Sequence, residues 1–177
     1  MYKIDVLLKQ NRKLFHTSDL SILWGTDNLN TLYTTIKRYI ERGILIPVHK
    51  GLYSVIPLDQ LDPIVLGVIT LHTYAYVSCE TVLTNSGINF QSGEATTLVS
   101  SVSKRFSLAG HTYIVRKMTD RFLYNDAGVQ RLDGVLTASL LRAVTDMLYF
   151  HPTAYFDNPK SIDWKAVHAL QKEVGFK

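Results

Sequence analysis

The chain of 177 residues contains only one cysteine, Cys79. One thiol cannot form an intramolecular disulfide or supply the thiolate cluster of a zinc site. The six histidines are scattered, without the spacing of a metal-binding motif: His16, His49, His72, His111, His151 and His168. We therefore expect no metal and no other cofactor.

The sequence also lacks a long hydrophobic run. The longest, "IVLGVITL" at Ile64–Leu71, is far shorter than the roughly 20 residues that span a membrane. The start, "MYKIDVLLKQNRK", is charged and has no apolar signal-peptide core. With 46% hydrophobic residues, the chain can bury the core of one or two small domains. These features predict a cytoplasmic protein with no membrane partner.

Catalytic patterns are missing as well. No Gly-rich phosphate loop is present, and Cys79 has no visible His/Asp partner, so we interpret it as a small buried residue rather than a nucleophile. Arg142 and Asp146 are four residues apart, and either an intrahelical ion pair or a partner-binding pair would explain them. Three tyrosines fit either a core or a binding platform: Tyr74, Tyr76 and Tyr113. We predict no enzyme.

What the chain does have is an uneven distribution of charge. Residues 1–56 hold eight Lys and Arg against four acids, whereas the remainder holds 11 of each sign. The whole excess of positive charge, +4, therefore lies in the first third. Such asymmetry indicates a surface that faces nucleic acid, although chance clustering in a basic protein would also produce it.

Residues 1–57 have the pattern of three helices followed by a β-hairpin. The first helix is predicted from Tyr2 to about Gln10, and the second is predicted to be capped by Thr17 or Ser18 and to end at Gly25. The third helix, capped within 26–28, is predicted to turn one apolar face inward: Leu29, Leu32, Ile36, Tyr39 and Ile40. In the hairpin, Gly51 suits the turn and Pro47 requires an edge strand. This order predicts a winged helix-turn-helix.

The outward face of the third helix has suitable chemistry for a DNA major groove. Asn pairs with adenine, Arg with guanine, and the Thr methyl contacts the thymine methyl. Lys37 and Arg42 are predicted to meet phosphates, as are Lys50 and His49 at the tip of the wing. The predicted DNA-binding residues are Asn28, Asn30, Thr31, Thr34, Lys37, Arg38, Arg42, His49 and Lys50. The alternative is that these residues form a solvent-exposed helix face without a partner, and that Lys50 prevents pairing of the exposed strand edge with another chain.

Residues 62–177 are predicted to form a small mixed α/β domain after the linker "PLDQLDP". A helix starts at Asp62-Pro63, a short strand follows, and Ser78 caps the next helix. Strands are predicted at 96–101 and 111–118, and a last helix at 161–174. Thr137 is predicted to cap a helix that buries an apolar stripe: Leu140, Leu141, Val144, Met147 and Leu148. The whole chain is thus predicted to be α+β.

The stretch "HTSDLSILWG … LYTTIKRYIERGILIPVHKGLYSV" resembles the N-terminal winged helix of AbiEi-type antitoxins, which belong to abortive-infection (type IV) toxin–antitoxin systems. The matching positions are Ile40, Arg42, Gly43, Leu45, Val48, Gly51, Leu52 and Tyr53, whereas Ile46 and Pro47 replace a usual basic residue. The resemblance continues in "YVSCETVLTNSGI", where Thr81 and Val82 depart from it. It also covers "ASLLRAVTDMLYF", which keeps Ala138, Arg142, Ala143 and Asp146 but has Leu141 for a glutamate. It extends to about Phe150.

This resemblance implies a DNA-binding transcriptional regulator that represses its own operon through double-stranded promoter DNA. It also implies that the second domain counteracts a nucleotidyltransferase-like toxin. Two other hypotheses remain open: a stand-alone winged-helix transcription factor without a toxin partner, and a winged-helix module that binds proteins.

Overall fold

The protein folds as two compact units, unit 1 (Met1–Asp62) and unit 2 (Pro63–Lys177). The computed structural model describes residues 3–90 and 93–176 and has an α+β fold. The boundary falls at the Asp62-Pro63 pair, the end of the segment predicted as a linker. Over the described ranges, no helix is both long and apolar enough to cross a lipid bilayer.

The described residues of unit 1 form three α-helices, three short strands and a 3-10 helix at Leu58–Gln60. In chain order the α-helices and strands are α1 (Lys3–Leu8), β1 (Leu14–His16), α2 (Thr17–Trp24), α3 (Leu29–Glu41), β2 (Ile46–His49) and β3 (Leu52–Ser54). Tyr2, where the first helix was predicted to begin, lies outside the described residues. Gly25 ends α2 in a left-handed conformation, with φ of 55°, as the sequence predicted.

The predicted cap of α2, Thr17 or Ser18, was wrong. The helix begins at Thr17, and the flanking residue is His16, whose backbone N–H donates to the Asp19 carboxylate at 2.8 Å. Strand β1 leads directly into the helix, and Thr17 is already the first helical residue. Its N–H instead donates to the carbonyl of Gly51 at 2.9 Å.

The core of unit 1 is built from α1, α2, α3, strand β1 and the segment before β2. Leu32 and Ile36 of α3 are almost completely buried, and the Trp24 ring of α2 meets Tyr39 edge-on at 5.3 Å. The buried cluster is Leu7, Phe15, Leu20, Trp24, Leu32, Ile36 and Leu45. One predicted core residue was wrong, because Leu29 is 60% exposed. It is the first residue of α3 and lies beyond this cluster.

The sheet of unit 1 has the strand order β1-β3-β2, and both pairings are antiparallel. Pro47 lies on the edge strand β2, which confirms its predicted place, since proline has no N–H for a second neighbour. Strand β1 was not predicted. It is three residues long and pairs Phe15 with Tyr53, so its stability comes from a partner far away in the chain.

Unit 2 contains five α-helices, six strands and a 3-10 helix at Pro159–Ser161 among its described residues. The first half holds α4 (Pro63–Leu71), β4 (Ala75–Val77), α5 (Glu80–Asn85), β5 (Ala95–Ser100), β6 (Lys104–Leu108) and β7 (His111–Lys117). The second half holds α6 (Asp120–Leu123), β8 (Val129–Leu132), β9 (Val135–Ala138), α7 (Leu140–Phe150) and α8 (Trp164–Val174). The strands form one mixed sheet in the order β6-β7-β5-β4-β9-β8.

Two predicted helix caps in unit 2, Ser78 and Thr137, were wrong. Ser78 precedes the cap of α5, which is Cys79, and its hydroxyl donates to Asp146 at 2.7 Å. Thr137 lies within β9, and the cap of α7 is Ser139, whose hydroxyl accepts from the Arg142 N–H at 3.2 Å.

The inward face of α7 also differs from the predicted leucine stripe. Among the five predicted residues only Val144 is fully buried, and the buried segment is Arg142, Ala143, Val144, Thr145 and Asp146. Strands β6, β8 and β9 were not predicted either. All three pair within hairpins through positive-φ turns, at Ala109-Gly110 and at Asp133-Gly134.

Candidate nucleic-acid interface

Helix α3 has two faces of opposite character. Leu32 and Ile36, one helical turn apart, point into the core of unit 1. Asn30, Thr34 and Arg38 repeat at the same spacing on the other side, and all three are exposed. The nine predicted DNA-binding residues are all exposed: Asn28, Asn30, Thr31, Thr34, Lys37, Arg38, Arg42, His49 and Lys50. The fold thus leaves every one of them accessible to solvent.

Asn28 has a structural function as well. It is the N-cap of α3, and its side-chain oxygen accepts a hydrogen bond from the Thr31 N–H at 3.1 Å. This bond satisfies one of the N–H groups that a helix start leaves without a partner. The helix start also carries partial positive charge, which favours an anionic group such as a phosphate.

The threonine hydroxyls on α3 are partly committed to the helix itself. Thr34 donates to the Asn30 carbonyl and Thr35 to the Thr31 carbonyl, both at 2.8 Å. With its hydrogen engaged, the Thr34 hydroxyl can only accept from another partner. Thr34 therefore offers an acceptor oxygen and a methyl group rather than a donor.

The cations of this surface are nearly free of acidic partners. Lys37 approaches Glu41 at 4.0 Å, but both side chains are largely exposed, so the pair is weak and screened by salt. Arg38, Arg42 and Lys50 form no ion pair with any residue that the structure describes. They are available to an external anion.

The tip of the β2–β3 hairpin is short and tethered. Only Lys50 and Gly51 separate the strands, and Gly51 has a φ of 73°. The Gly51 carbonyl accepts from the Thr17 N–H at 2.9 Å and from the Thr17 hydroxyl at 3.3 Å. The exposed His49 and Lys50 are therefore held beside the first turn of α2. Sequence analysis missed this contact, because it joins residues far apart in the chain.

The most elaborate polar cluster of unit 2 is buried. Arg142 and Asp146 form an ion pair at 2.8 Å, and both side chains are completely inaccessible. The guanidinium also donates to the Tyr76 hydroxyl and to three backbone carbonyls, those of Phe122, Asn125 and Ala127. Asp146 accepts from Tyr76 and Ser78. A partner protein cannot reach this pair, so of the two interpretations left open the structure favours the intrahelical ion pair.

Burial also shifts the pKa values of two side chains in and beside this cluster, Tyr76 and Cys79. Burial raises the pKa of the Tyr76 hydroxyl, and neighbouring Asp146 raises that pKa further. Burial likewise raises the pKa of the fully buried Cys79 thiol, which stays neutral and is a poor nucleophile. The described residues contain no group of three His, Cys, Asp or Glu side chains suited to a metal ion.

Unit 2 also has a cavity of about 700 Å³ between α7 and α8. Phe122, Tyr149 and Phe176 line it and pack against one another, with the Tyr149 and Phe176 rings stacked at 4.7 Å. Arg121 and His168 contribute to the lining, which includes no carboxylate among the described residues. This composition offers neither a paired acid and base nor an activated nucleophile.

No model of a known protein family matches the chain, and no curated protein matches its sequence.

Proposed function

We propose that unit 1 is a winged helix-turn-helix that binds double-stranded DNA, with α3 as the recognition helix and the β2–β3 hairpin as the wing. The element order α1-β1-α2-α3-β2-β3 supports this, as does the central position of β3 in the sheet. In this arrangement the second helix of the pair enters the major groove, and the wing approaches the backbone.

The observation that carries the proposal is the polarity of α3. Its inward face is closed against the core by Leu32 and Ile36, while its outward face combines amide, hydroxyl and cationic side chains. Arg38 and Arg42 lack acidic partners among the described residues. These are the side-chain types that contact bases and phosphates in protein–DNA complexes. A helix face that only meets solvent does not require them together on one helix.

The proposal extends to an antitoxin that represses its own operon and counteracts a nucleotidyltransferase-like toxin. This part rests on the sequence resemblance to AbiEi-type antitoxins, which covers both units. Unit 1 would act on promoter DNA, and unit 2 would restrain the toxin. The alternative is a stand-alone regulator with the same DNA-binding unit.

DNA binding is tested by fluorescence anisotropy on the duplex upstream of the protein's own gene, at several salt concentrations. The variant K37A/R38A/K50A should bind more weakly and show a flatter salt dependence, by about 0.9 in logarithmic slope for each lost phosphate contact. The matched control is R105A/K165A/K172A, which removes three exposed cations of unit 2. Equal loss in both variants would indicate only general charge attraction, and unchanged binding would refute the assigned face.

The toxin is tested by co-expression of the full chain with any nucleotidyltransferase-like protein encoded next to it. Restored growth supports the antitoxin, and K37A/R38A/K50A should then retain rescue while it loses repression. Lack of such a neighbour would favour the stand-alone regulator. Failure to bind any duplex, even at low salt, would favour a protein-interaction module.

A further inference from the structure

Helix α3 exposes two large apolar side chains beside its polar face. Leu29 is 60% exposed and Tyr33 is 52% exposed. They are four residues apart and therefore neighbours on the N-terminal half of the helix. Each directly precedes a residue of the proposed DNA-binding face, since Asn30 follows Leu29 and Thr34 follows Tyr33.

This exposure does not follow from the helical pattern alone. Leu29 stands three residues before Leu32 and seven before Ile36, a spacing typical of a single inward face. Leu32 and Ile36 are nevertheless 1% and 2% exposed, whereas Leu29 is mostly in solvent. The start of α3 thus has an exposed apolar surface, next to side chains suited to contacting base edges.

The major groove offers one apolar group on its base edges, the 5-methyl group of thymine. In helix-turn-helix proteins the N-terminal residues of the recognition helix contact base edges. We infer that Leu29 and Tyr33 contact thymine methyl groups, so that the preferred duplex carries A·T pairs where the start of α3 enters the groove. This inference rests on the proposed DNA binding and adds to it the base that is read.

Charge favours a duplex over a second copy of the chain as the occupant of this surface. Lys37 and Arg38 follow one turn later on the same helix, and both are exposed. Two copies that met through Leu29 and Tyr33 would bring these cations together, which opposes association. A polyanion buries the same apolar groups while it neutralises the cations.

The experiment first selects the preferred duplex from a randomised library with the full-length protein. Each thymine in that duplex is then replaced singly by deoxyuridine, which removes only the methyl group. We expect at least one replacement to weaken binding about 3- to 5-fold, the contribution of one buried methyl group. L29A or Y33A should be insensitive to that same replacement, because the contact is already lost.

The matched control is L8A, the same substitution at an exposed leucine of α1 that is 65% accessible. It should bind the thymine duplex as the unchanged protein does and keep the full response to deoxyuridine. Because Leu29 is exposed, L29A is expected to fold, and circular dichroism checks this. Should it misfold, L29Q gives the same test.

Three results would overturn the inference. If the protein binds a selected duplex but no deoxyuridine replacement matters, DNA binding stands and thymine reading is wrong. If L29A abolishes self-association in sedimentation, the surface binds a second copy. If no duplex is enriched, the proposed function fails and the inference fails with it.

Discussion

The buried Arg142–Asp146 pair provides the sharpest test of unit 2. All five N–H groups of the guanidinium have acceptors, at distances from 2.8 to 3.1 Å. Arg142→Met keeps much of the side-chain volume but leaves the Asp146 carboxylate buried with only two hydroxyl donors. It also leaves three backbone carbonyls without their donor. Loss of one partner from such a pair costs about 3–5 kcal/mol of unfolding free energy.

Arg116→Met is the matched control, because it applies the same chemical change to an ion pair that solvent reaches. The Arg116 and Glu80 side chains are 19% and 34% exposed. Water reaches part of the Glu80 side chain that remains, and we expect a smaller loss of about 1 kcal/mol. The difference between the two arginine variants measures the effect of complete burial.

The assay is urea unfolding followed by tryptophan fluorescence in a W24F background. The chain has two tryptophans, so Trp164 then reports on unit 2 alone. If R142M does not fold, Tyr76→Phe removes one hydroxyl from the same network and should cost about 1–3 kcal/mol. An R142M loss no larger than that of R116M would refute the claim that this network is desolvated. The double variant R142M/D146L should lose less than the sum of its single variants, since it leaves no buried charge.

Substitutions at Asn28 and Gly67 test two local features. Asn28→Ala should lower the unfolding free energy of unit 1 by about 1 kcal/mol through loss of the cap. Asn28→Asp should preserve the thermal midpoint but weaken duplex binding at low salt, and normal binding would show that no phosphate lies near this helix start. Gly67→Ala should cost about 1–3 kcal/mol, because a Cβ there would overlap the buried ring of Tyr113. Gly93→Ala meets no atom within 4 Å, and a thermal midpoint equal to that of Gly67→Ala would contradict this reasoning.

Helix α3 shows what a local pattern can predict. Its start follows from a capping residue, Asn28, and its inward face from the spacing of Leu32 and Ile36, which are four residues apart. The exposure of the polar face follows from the same spacing. The prediction that Leu29 faces the core was wrong, and the periodicity of the sequence could not have shown this. Whether the first turn of a helix reaches the core depends on where the other helices end.

The strands show where local pattern stops being informative. Strand β1 is three residues long, and its pairing of Phe15 with Tyr53 becomes visible only when both segments are placed. Strand β5 pairs in parallel with β7, while β6 lies between them in the chain and at the edge of the sheet. Such pairings are selected by the packing of the whole sheet, because each short strand alone has little preference.

The burial of Arg142 could not be predicted from the sequence, because it depends both on which face of α7 points inward and on contacts between distant segments. An arginine within a leucine-rich helix is normally placed on the solvent face, since an unpaired buried charge is costly. Here the helix supplies one partner, Asp146, at the spacing that the sequence reveals, but the remaining acceptors come from Tyr76 and from backbone carbonyls of residues 122–127. The burial of Arg142 on the inward face of α7 therefore depends on groups that lie 15 to 66 residues away in the sequence. A charged side chain can be stable in the core when every one of its donors has an acceptor. The pattern of leucines around Arg142 in the sequence does not show that these acceptors exist.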